Sequence, residues 1–226
     1  FPPLFLLNSI KTKTKMSNPS LSPELQSFLK GLETEFDRIS PERRELLKSL
    51  GKWIGEQVQK NQPAHLIVIC THNSRRSHMG QVMLALAAQY YGVPGVHTWS
   101  GGTEATAFNP QAVGAMQRAG IPVEKVTNGD NPRYRLNLDG LPEAERTLFS
   151  KRFDETPNPS QNFAAIMVCS EADEGCPFVP GAAARFSFPF RDPKESDGTP
   201  LMESVYDERL RDIGREFLFA MKCAIQ

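Results

Sequence analysis

The chain has 226 residues, of which 39% are hydrophobic and 23% charged, which suits one α/β domain with a substantial core and an additional segment. Its basic and acidic residues balance to a formal net charge of zero, which argues against a general nucleic-acid-binding or anionic-membrane-binding protein. No apolar run approaches the roughly 20 residues needed to span a bilayer, and four cysteines in patterned segments are typical of a reducing compartment, so we expect a cytoplasmic protein.

Residues 1–15 are interpreted as a disordered or non-native leader. Their apolar run precedes Lys11, Lys13 and Lys15, which is the reverse of the order in a secretory signal. We therefore take Met16 as the natural start.

Residues 16–62 are predicted to form a helical hairpin extension. Ser22-Pro23-Glu24 and Ser40-Pro41-Glu42 each combine a capping serine, a proline and an acidic residue, which is typical of a helix start. An apolar stripe follows each start, and Pro63 comes after the second helix. The extension contains no set of catalytic side chains, so we expect it to pack against the domain or to contact a partner or a second copy.

Residues 63–226 are predicted to form an α/β domain in which strands and helices alternate. The predicted elements are a strand at Leu66–Ile69, a helix through Met79–Tyr90 that Gly92 ends, a strand at Val96–Ser100, a helix from Asn109-Pro110 to Gly120, strands at Phe163–Cys169 and Arg185–Phe188, and a last helix through Val205–Met221. This alternation indicates a four-stranded parallel sheet with helices on both faces. Ligands of such sheets bind beyond the carboxyl ends of the strands, where Cys70 and Cys169 are expected to lie.

Residues 122–162 interrupt the alternation. They are rich in proline, glycine, asparagine and charge. We predict a long inserted excursion with one short helix near Pro142–Phe153, lying over one end of the sheet. In that position it could shape or cover a site.

The loop from Cys70 to Ser77 joins a buried strand to a helix and is predicted to bind an anion. Its backbone N–H groups and the positive end of the helix dipole point into it, and the Arg76 guanidinium can hold two oxygens of an oxyanion. The residues expected to bind the oxyanion are Thr71, His72, Asn73, Ser74, Arg75, Arg76 and Ser77. The same field favours the thiolate form of Cys70, and Asn73 tolerates the left-handed turn that such a loop needs. The alternative is that Cys70 is a small buried hydrophobic residue at a strand end.

Four segments resemble the low-molecular-weight protein tyrosine phosphatase family and, within it, the thioredoxin-coupled arsenate reductases. They are Val68–Ser77, Ser100–Ala105 with the following Asn109-Pro110, Cys169–Cys176, and Asp192-Pro193. The order is similar to that of this family, because the loop cysteine comes early and the Asp-Pro pair late. The larger tyrosine phosphatases place the acid before the cysteine.

The resemblance implies a role for each matching residue. Cys70 is expected to be the nucleophile, Arg76 to hold the oxyanion with the loop N–H groups, and Ser77 to stabilise the thiolate. Asp192 is expected to be the general acid, which protonates the leaving oxygen. The alternative for Asp192 is a turn residue, the role we also expect for Asp197.

The segment Cys169–Cys176 distinguishes the two activities of the family. It resembles the redox pair of the reductases, which implies that Cys169 attacks the Cys70 sulfur and that Cys176 then relays the disulfide outward. We expect the six intervening residues to form a mobile loop, and thioredoxin to be the reductant. The alternative is that Cys169 is a core residue and Cys176 incidental. Cys223 is expected to be a core residue.

Two departures from the family pattern bear on function. Gln81 stands where some reductases have a glutamate that helps to form a cation site, so potassium dependence is not carried over. Lys194 follows Asp192-Pro193 where tyrosine phosphatases usually have an aromatic residue, which weakens the phosphotyrosine interpretation. No metal or cofactor is predicted.

The function expected from the sequence is reduction of arsenate to arsenite, as in arsenical resistance. Hydrolysis of a phosphate monoester, such as phosphotyrosine, is the first alternative, and a non-catalytic phosphoryl-binding module is the second. The cellular substrate, the reductant and the oligomeric state stay open.

Overall fold

A computed structural model describes residues 21–175 and 178–226. The helices are α1 (Pro23–Glu33), α2 (Pro41–Gln59), α3 (Arg76–Tyr91), α4 (Pro110–Arg118), α5 (Glu143–Arg146), α6 (Ser170–Gly175) and α7 (Met202–Cys223). The strands are β1 (Ala64–Cys70), β2 (Val96–Gly102), β3 (Val123–Lys125), β4 (Tyr134–Leu136), β5 (Thr147–Leu148), β6 (Phe163–Met167) and β7 (Ala182–Ser187). Within the described ranges no helix is both long and apolar enough to cross a bilayer. The predicted leader at 1–15 lies outside the described residues.

The predicted four-stranded parallel sheet is confirmed. Its strand order is β2–β1–β6–β7. β1 is one of the two central strands and is buried along nearly its whole length. The register aligns Cys70 with Gly102 on β2, and Ile69 with Met167 on β6. The carboxyl ends of β1, β2 and β6 therefore lie together at one end of the sheet. Cys70 lies between the ends of β2 and β6.

The long helix α7 is the element against which the other main helices pack. It contacts α1, α2, α3 and α4. Its approach to α2 is close, because a Cβ atom added at Gly51 would overlap the carbonyl oxygen of Ala220. The helix α3 is buried over most of its length, since it lies between α7 and the strands β1 and β2.

Both helices predicted in the N-terminal extension are present, and Ser22 and Ser40 cap them as expected. The prediction that they form a hairpin is not confirmed, because their main contacts are with α7 rather than with each other. Their buried leucines belong to the same hydrophobic core as the sheet. The division between an extension at 16–62 and a domain at 63–226 therefore stays a prediction.

The excursion at 122–162 contains a second sheet that was not predicted from the sequence. Strands β3, β4 and β5 pair in antiparallel order. The helix predicted near Pro142–Phe153 is wrong beyond Arg146, because Thr147 and Leu148 pair with β4 instead of continuing α5. These strands have only two or three residues, which is too short for an alternating pattern to be recognised.

After β5 the excursion runs along the end of β2. The Gly102 N–H donates to the Lys151 carbonyl oxygen at 2.9 Å, and the Phe153 N–H donates to the Gly102 carbonyl oxygen at 2.9 Å. The side chain of Lys151 is buried at this junction with 2% of its surface exposed, and its Nζ lies 4.9 Å from the ring centroid of Phe149. Burial lowers the pKa of Lys151 from its ordinary value of 10.5 to about 8.

The burial of Lys151 predicts a pH-dependent cost to stability. Unfolded Lys151 keeps its proton to a higher pH than folded Lys151, so between about pH 8 and pH 10.5 the unfolded state binds more protons and stability rises with pH. We expect Lys151→Met to raise the free energy of unfolding by about 3 kcal/mol below about pH 8, and this gain to disappear as the pH approaches about 10.5.

Urea unfolding at a series of pH values measures the effect. The matched control is Lys125→Met at an exposed lysine of the same excursion, which should give no comparable gain. A Lys151→Met gain that is independent of pH would show that packing, and not the buried charge, is responsible.

Candidate active site

In the loop between β1 and α3, four carbonyl groups accept hydrogen bonds from residues outside the loop. The donors are Thr103 N–H to Cys70 O (3.1 Å), Glu104 N–H to Thr71 O (2.8 Å), Ser150 Oγ–H to His72 O (3.0 Å) and Asn109 N–H to Ser74 O (2.9 Å). The C=O and N–H groups of one planar peptide point in opposite directions. The following N–H groups, those of Thr71, His72, Asn73 and Arg75, therefore point away from these partners, which is the arrangement that binds an oxyanion.

Gly102 allows this loop to pack closely against the end of β2. A Cβ atom there would lie 2.7 Å from both Asn73 N and Thr71 O. Real Cβ atoms do not approach the backbone so closely, so any other residue would displace the loop from the end of β2.

Cys70 lies at the end of a chain of hydrogen-bonding groups. Its Sγ is 3.1 Å from Ser77 Oγ, and Ser77 Oγ accepts from Asn73 Nδ2 at 2.8 Å. Because Ser77 already accepts this bond, its own hydroxyl proton is available for the Cys70 sulfur. Asn73 Oδ1 in turn accepts from the Lys151 N–H at 2.9 Å. Asn73 has a φ of 45°, which confirms the predicted left-handed turn.

Arg76 joins the loop to the segment that carries Asp192. Its Nη2 donates to Asp192 Oδ2 at 2.7 Å, and its Nη1 donates to the Phe190 carbonyl oxygen at 2.8 Å. A guanidinium carries five N–H donors, so the fork retains donors for an oxyanion. Asp192 also caps a short 3₁₀ helix by accepting from the Lys194 N–H at 3.0 Å. It is thus both a turn residue and a carboxyl group facing the loop.

Cys169 lies beside the loop, two residues after the end of β6. Its Sγ is 3.5 Å from Thr71 Oγ1 and accepts from the Ala172 N–H at 3.4 Å. Burial raises the pKa of the Cys169 thiol, and the neighbouring Cys70 adds to this effect. Cys169 is fully buried and is therefore a core residue. It also contacts the loop that begins at Cys70, through Thr71.

The mobile loop predicted after Cys169 is wrong, since Ser170–Gly175 form the short helix α6. Asp173 anchors this helix, because it accepts from Arg185 at 2.5 Å and from the Ser187 hydroxyl at 2.7 Å. Cys176 lies outside the described residues.

Three predicted residues have contacts that the sequence did not suggest. The side chain of Arg75 turns away from the loop: its Nε donates to the Tyr206 hydroxyl at 2.7 Å and its Nη2 to Asp197 at 3.3 Å. Asp197 also accepts from the Tyr206 hydroxyl at 2.8 Å, so it is more than the turn residue we expected. His72 is half exposed at the rim, with Nε2 3.8 Å from Glu104.

Gln81 has a structural role. Its Nε2 donates to the carbonyl oxygens of Thr98 at 3.2 Å and Glu145 at 3.0 Å, which a carboxylate could not do. In the described part of the chain, no group of three or more His, Cys, Asp or Glu residues could hold a metal ion.

Ser150, Lys151 and Tyr206 support the site, although no pattern in the sequence predicted them. Ser150 and Lys151 lie 78 residues from their loop partners, and Tyr206 lies 131 residues from Arg75. No short-range signal in the sequence marks them.

Comparison with known proteins gives a consistent result. No family model matches the chain. An arsenate reductase 2 from Staphylococcus haemolyticus is 30% identical over 148 residues, which cover 64% of this chain and 85% of that protein. An arsenate reductase from Bacillus licheniformis is 28% identical over 144 residues, covering 64% of this chain and 84% of that one.

The fold is similar to that of a YwlE mutant from Bacillus subtilis, with a TM-score of 0.50 and 15% identity over 72% of this chain and 99% of that one. At this identity the structural likeness concerns the fold alone. This likeness agrees with the four-stranded sheet described above. The chain is an enzyme that belongs to the arsenate reductase family.

Proposed function

We propose that this enzyme reduces arsenate to arsenite through Cys70, Cys169 and Cys176. The observation that carries the proposal is the position of Cys169, whose sulfur lies 3.5 Å from Oγ1 of Thr71, the residue next to Cys70. Hydrolysis of a phosphate monoester needs no second thiol. A buried thiol beside the loop therefore favours a reductase.

The first step uses the loop. Arsenate resembles phosphate in shape and charge, so the loop N–H groups and Arg76 can hold it. The Cys70 thiolate attacks arsenic, an As–S bond forms, and one oxygen leaves as water after it has accepted a proton. Asp192, paired with Arg76, is the proposed proton donor. Arsenic is still pentavalent in this adduct.

The second step transfers two electrons. Cys169 attacks the Cys70 sulfur, the S–S bond forms, and the As–S bond breaks with its electron pair remaining on arsenic. Two thiols are oxidised by two electrons and As(V) becomes As(III), so arsenite leaves. Because Cys169 must first lose a proton, and burial raises its pKa, this step should speed up as the pH rises above neutrality.

The third step returns Cys70 to its starting state. Cys176 attacks the Cys169 sulfur of the disulfide, a bond between Cys169 and Cys176 forms, and the bond between Cys70 and Cys169 breaks. Cys70 is then released as a thiolate, and the new disulfide is available to an external dithiol.

We propose thioredoxin as that dithiol and the cytoplasm as the location. The support is the chemistry of the relay, which needs two electrons from a dithiol in each cycle, and the reducing compartment that the cysteine usage indicates.

Phosphate monoester hydrolysis is the second candidate function. The contact between Arg76 and Asp192 favours it, because that reaction needs only the loop, the nucleophile and an acid. Lys194, in place of an aromatic residue after Asp192-Pro193, weakens the case for phosphotyrosine. A binding module without catalysis needs neither a thiolate nor an acid, so this alternative is the least supported.

Cysteine variants separate the two functions. In Cys176→Ser we expect a single turnover of arsenate that ends with Cys70 and Cys169 joined by a disulfide, because the relay has lost only its last thiol. In Cys169→Ser this disulfide cannot form. Mass spectrometry of protein treated with arsenate, in the absence of a reductant, detects the bridge.

The matched control is Cys223→Ser, at the end of α7 beside Gly51, which should reduce arsenate like the unaltered protein. Cys70→Ser should be inactive, because a hydroxyl stays protonated in the loop. If Cys176→Ser forms no disulfide between Cys70 and Cys169, the phosphatase function becomes the better supported one.

The role of Asp192 predicts a dependence on the leaving group. Asp192→Asn should slow the hydrolysis of aryl phosphates with poor leaving groups by roughly 10²–10⁴-fold, because a positioned acid contributes that much to the rate. Phosphates with good leaving groups, which depart without a proton, should be affected far less.

The rates of a series of substituted aryl phosphates measure this difference. Asn at position 192 can still accept the Lys194 N–H and so preserve the turn. Equal losses across the series would mean that Asp192 supports the turn and is not the acid.

A further inference from the structure

Two neighbouring residues of the loop that begins at Cys70 hold the two ends of one short turn. Asp192 is the residue before the 3₁₀ helix Pro193–Ser196, and Asp197 is the residue after it. Arg76 donates to Asp192 Oδ2 at 2.7 Å, and Arg75 donates to Asp197 Oδ2 at 3.3 Å. The turn that carries the proposed acid is therefore bonded to the loop at both of its ends.

The hydroxyl of Tyr206 reinforces the bond at the Asp197 end. This hydroxyl accepts from Arg75 Nε at 2.7 Å and donates to Asp197 Oδ1 at 2.8 Å. Burial raises the pKa of Tyr206 to about 12, so the hydroxyl keeps the proton that it donates to Asp197. The bonds among Arg75, Tyr206 and Asp197 form a closed set, which we call the Tyr206 network.

The Tyr206 network connects the turn to a rigid part of the fold. Tyr206 is fully buried on α7, the helix against which the other main helices pack, and the 3₁₀ helix also contacts α7. The side chain of Arg75 is 14% exposed. Hydrogen bonds that involve a charged group are stronger than neutral ones, and partial exclusion of water strengthens them further. The network can therefore fix the position of Asp197 against the loop.

The two ends of the turn depend differently on the charge of Asp192. A general acid must carry a proton before it can donate one, and a protonated Asp192 loses its charge-assisted bond to Arg76. An oxyanion bound in the loop also attracts the Arg76 guanidinium. The bonds of Asp197 change with neither event, because the Arg75 side chain turns away from the loop toward Tyr206.

We propose that Tyr206, through Arg75 and Asp197, is a positioning residue that keeps Asp192 at the loop while Asp192 donates its proton. This inference rests on the acid role of Asp192 in the proposed function. It predicts that Tyr206 affects the step that needs the proton and leaves oxyanion binding unchanged, because the loop N–H groups and Arg76 are not altered.

Tyr206→Phe tests the inference, because it removes the hydroxyl and keeps the buried ring. For aryl phosphates with poor leaving groups we expect kcat/KM to fall about tenfold, less than the roughly 10²–10⁴-fold that a positioned acid contributes. For good leaving groups kcat/KM should stay the same. The inhibition constant of inorganic phosphate, which reports oxyanion binding, should also stay the same.

Two further variants separate positioning from a general structural role. In the double variant of Tyr206→Phe with Asp192→Asn, loss of the hydroxyl should cost nothing more, because the acid through which it acts is already gone. Asp197→Ala opens the Tyr206 network from a side chain that is 37% exposed, so it leaves the core intact, and it should show the same dependence on the leaving group.

The matched control is Tyr91→Phe at the end of α3. It removes a tyrosine hydroxyl that donates to the carboxylate of Glu33 at 3.0 Å, and it should hydrolyse the whole series like the unaltered protein.

Several results would overturn the inference. They are an unaltered kcat/KM in Tyr206→Phe or Asp197→Ala, equal losses for good and poor leaving groups, or a further loss when Tyr206→Phe is added to Asp192→Asn. Hydrolysis uses neither Cys169 nor Cys176, so the result is independent of whether the protein reduces arsenate. Equal losses across the series in Asp192→Asn alone would reject the acid role and this inference together.

Discussion

The proposed binding of an anion by the loop that begins at Cys70 depends on the peptide oxygens of the loop being bonded elsewhere. Four carbonyl groups between Cys70 and Ser74 accept hydrogen bonds from residues outside the loop. An unbonded carbonyl could turn inward and repel an oxyanion. The donors come from the chain after β2, from the residue that caps α4, and from Ser150 of the excursion, so three distant segments must fold before the loop acquires its shape.

The excursion is therefore part of the support of the site. The Ser150 hydroxyl donates to the His72 carbonyl, and the Lys151 N–H donates to the side chain of Asn73. Asn73 in turn donates to Ser77, which contacts the sulfur of Cys70, the proposed nucleophile. The same segment buries the Lys151 ammonium, which lowers its pKa and costs stability at neutral pH. The sheet, α7 and the N-terminal helices share one large hydrophobic core. Burial of that core offsets the free energy that the buried ammonium costs.

The sequence was informative where the interactions are local. Cys70, Asn73, Arg76 and Ser77 lie within eight residues, and a strand before them and a helix after them were enough to predict the loop. Asp192 was predicted from the family order, and the structure brings it to Arg76. The roles of Ser150 and Tyr206 could not be predicted, because their partners are 78 and 131 residues away.

Two errors in secondary structure have a physical cause. The strands of the excursion are too short to have a period, and Thr147 leaves the helical conformation because it pairs with Arg135 across the small sheet. Residues 170–175 were predicted to form a mobile loop because the relay implied by the resemblance needs Cys176 to move, yet they are helical, and Asp173 accepts hydrogen bonds from Arg185 and Ser187 in the neighbouring strand β7. Tertiary contacts decided both cases.

The central claim is that the Cys70 loop and the Cys169 thiol together reduce arsenate. The most direct measurement is a paired assay on one preparation, following thioredoxin oxidation in the presence and absence of arsenate, and aryl phosphate hydrolysis alongside. The account predicts thioredoxin oxidation that depends on arsenate and yields an equal amount of arsenite. Hydrolysis of the aryl phosphate with no arsenate-dependent oxidation of thioredoxin or of a small dithiol would contradict it.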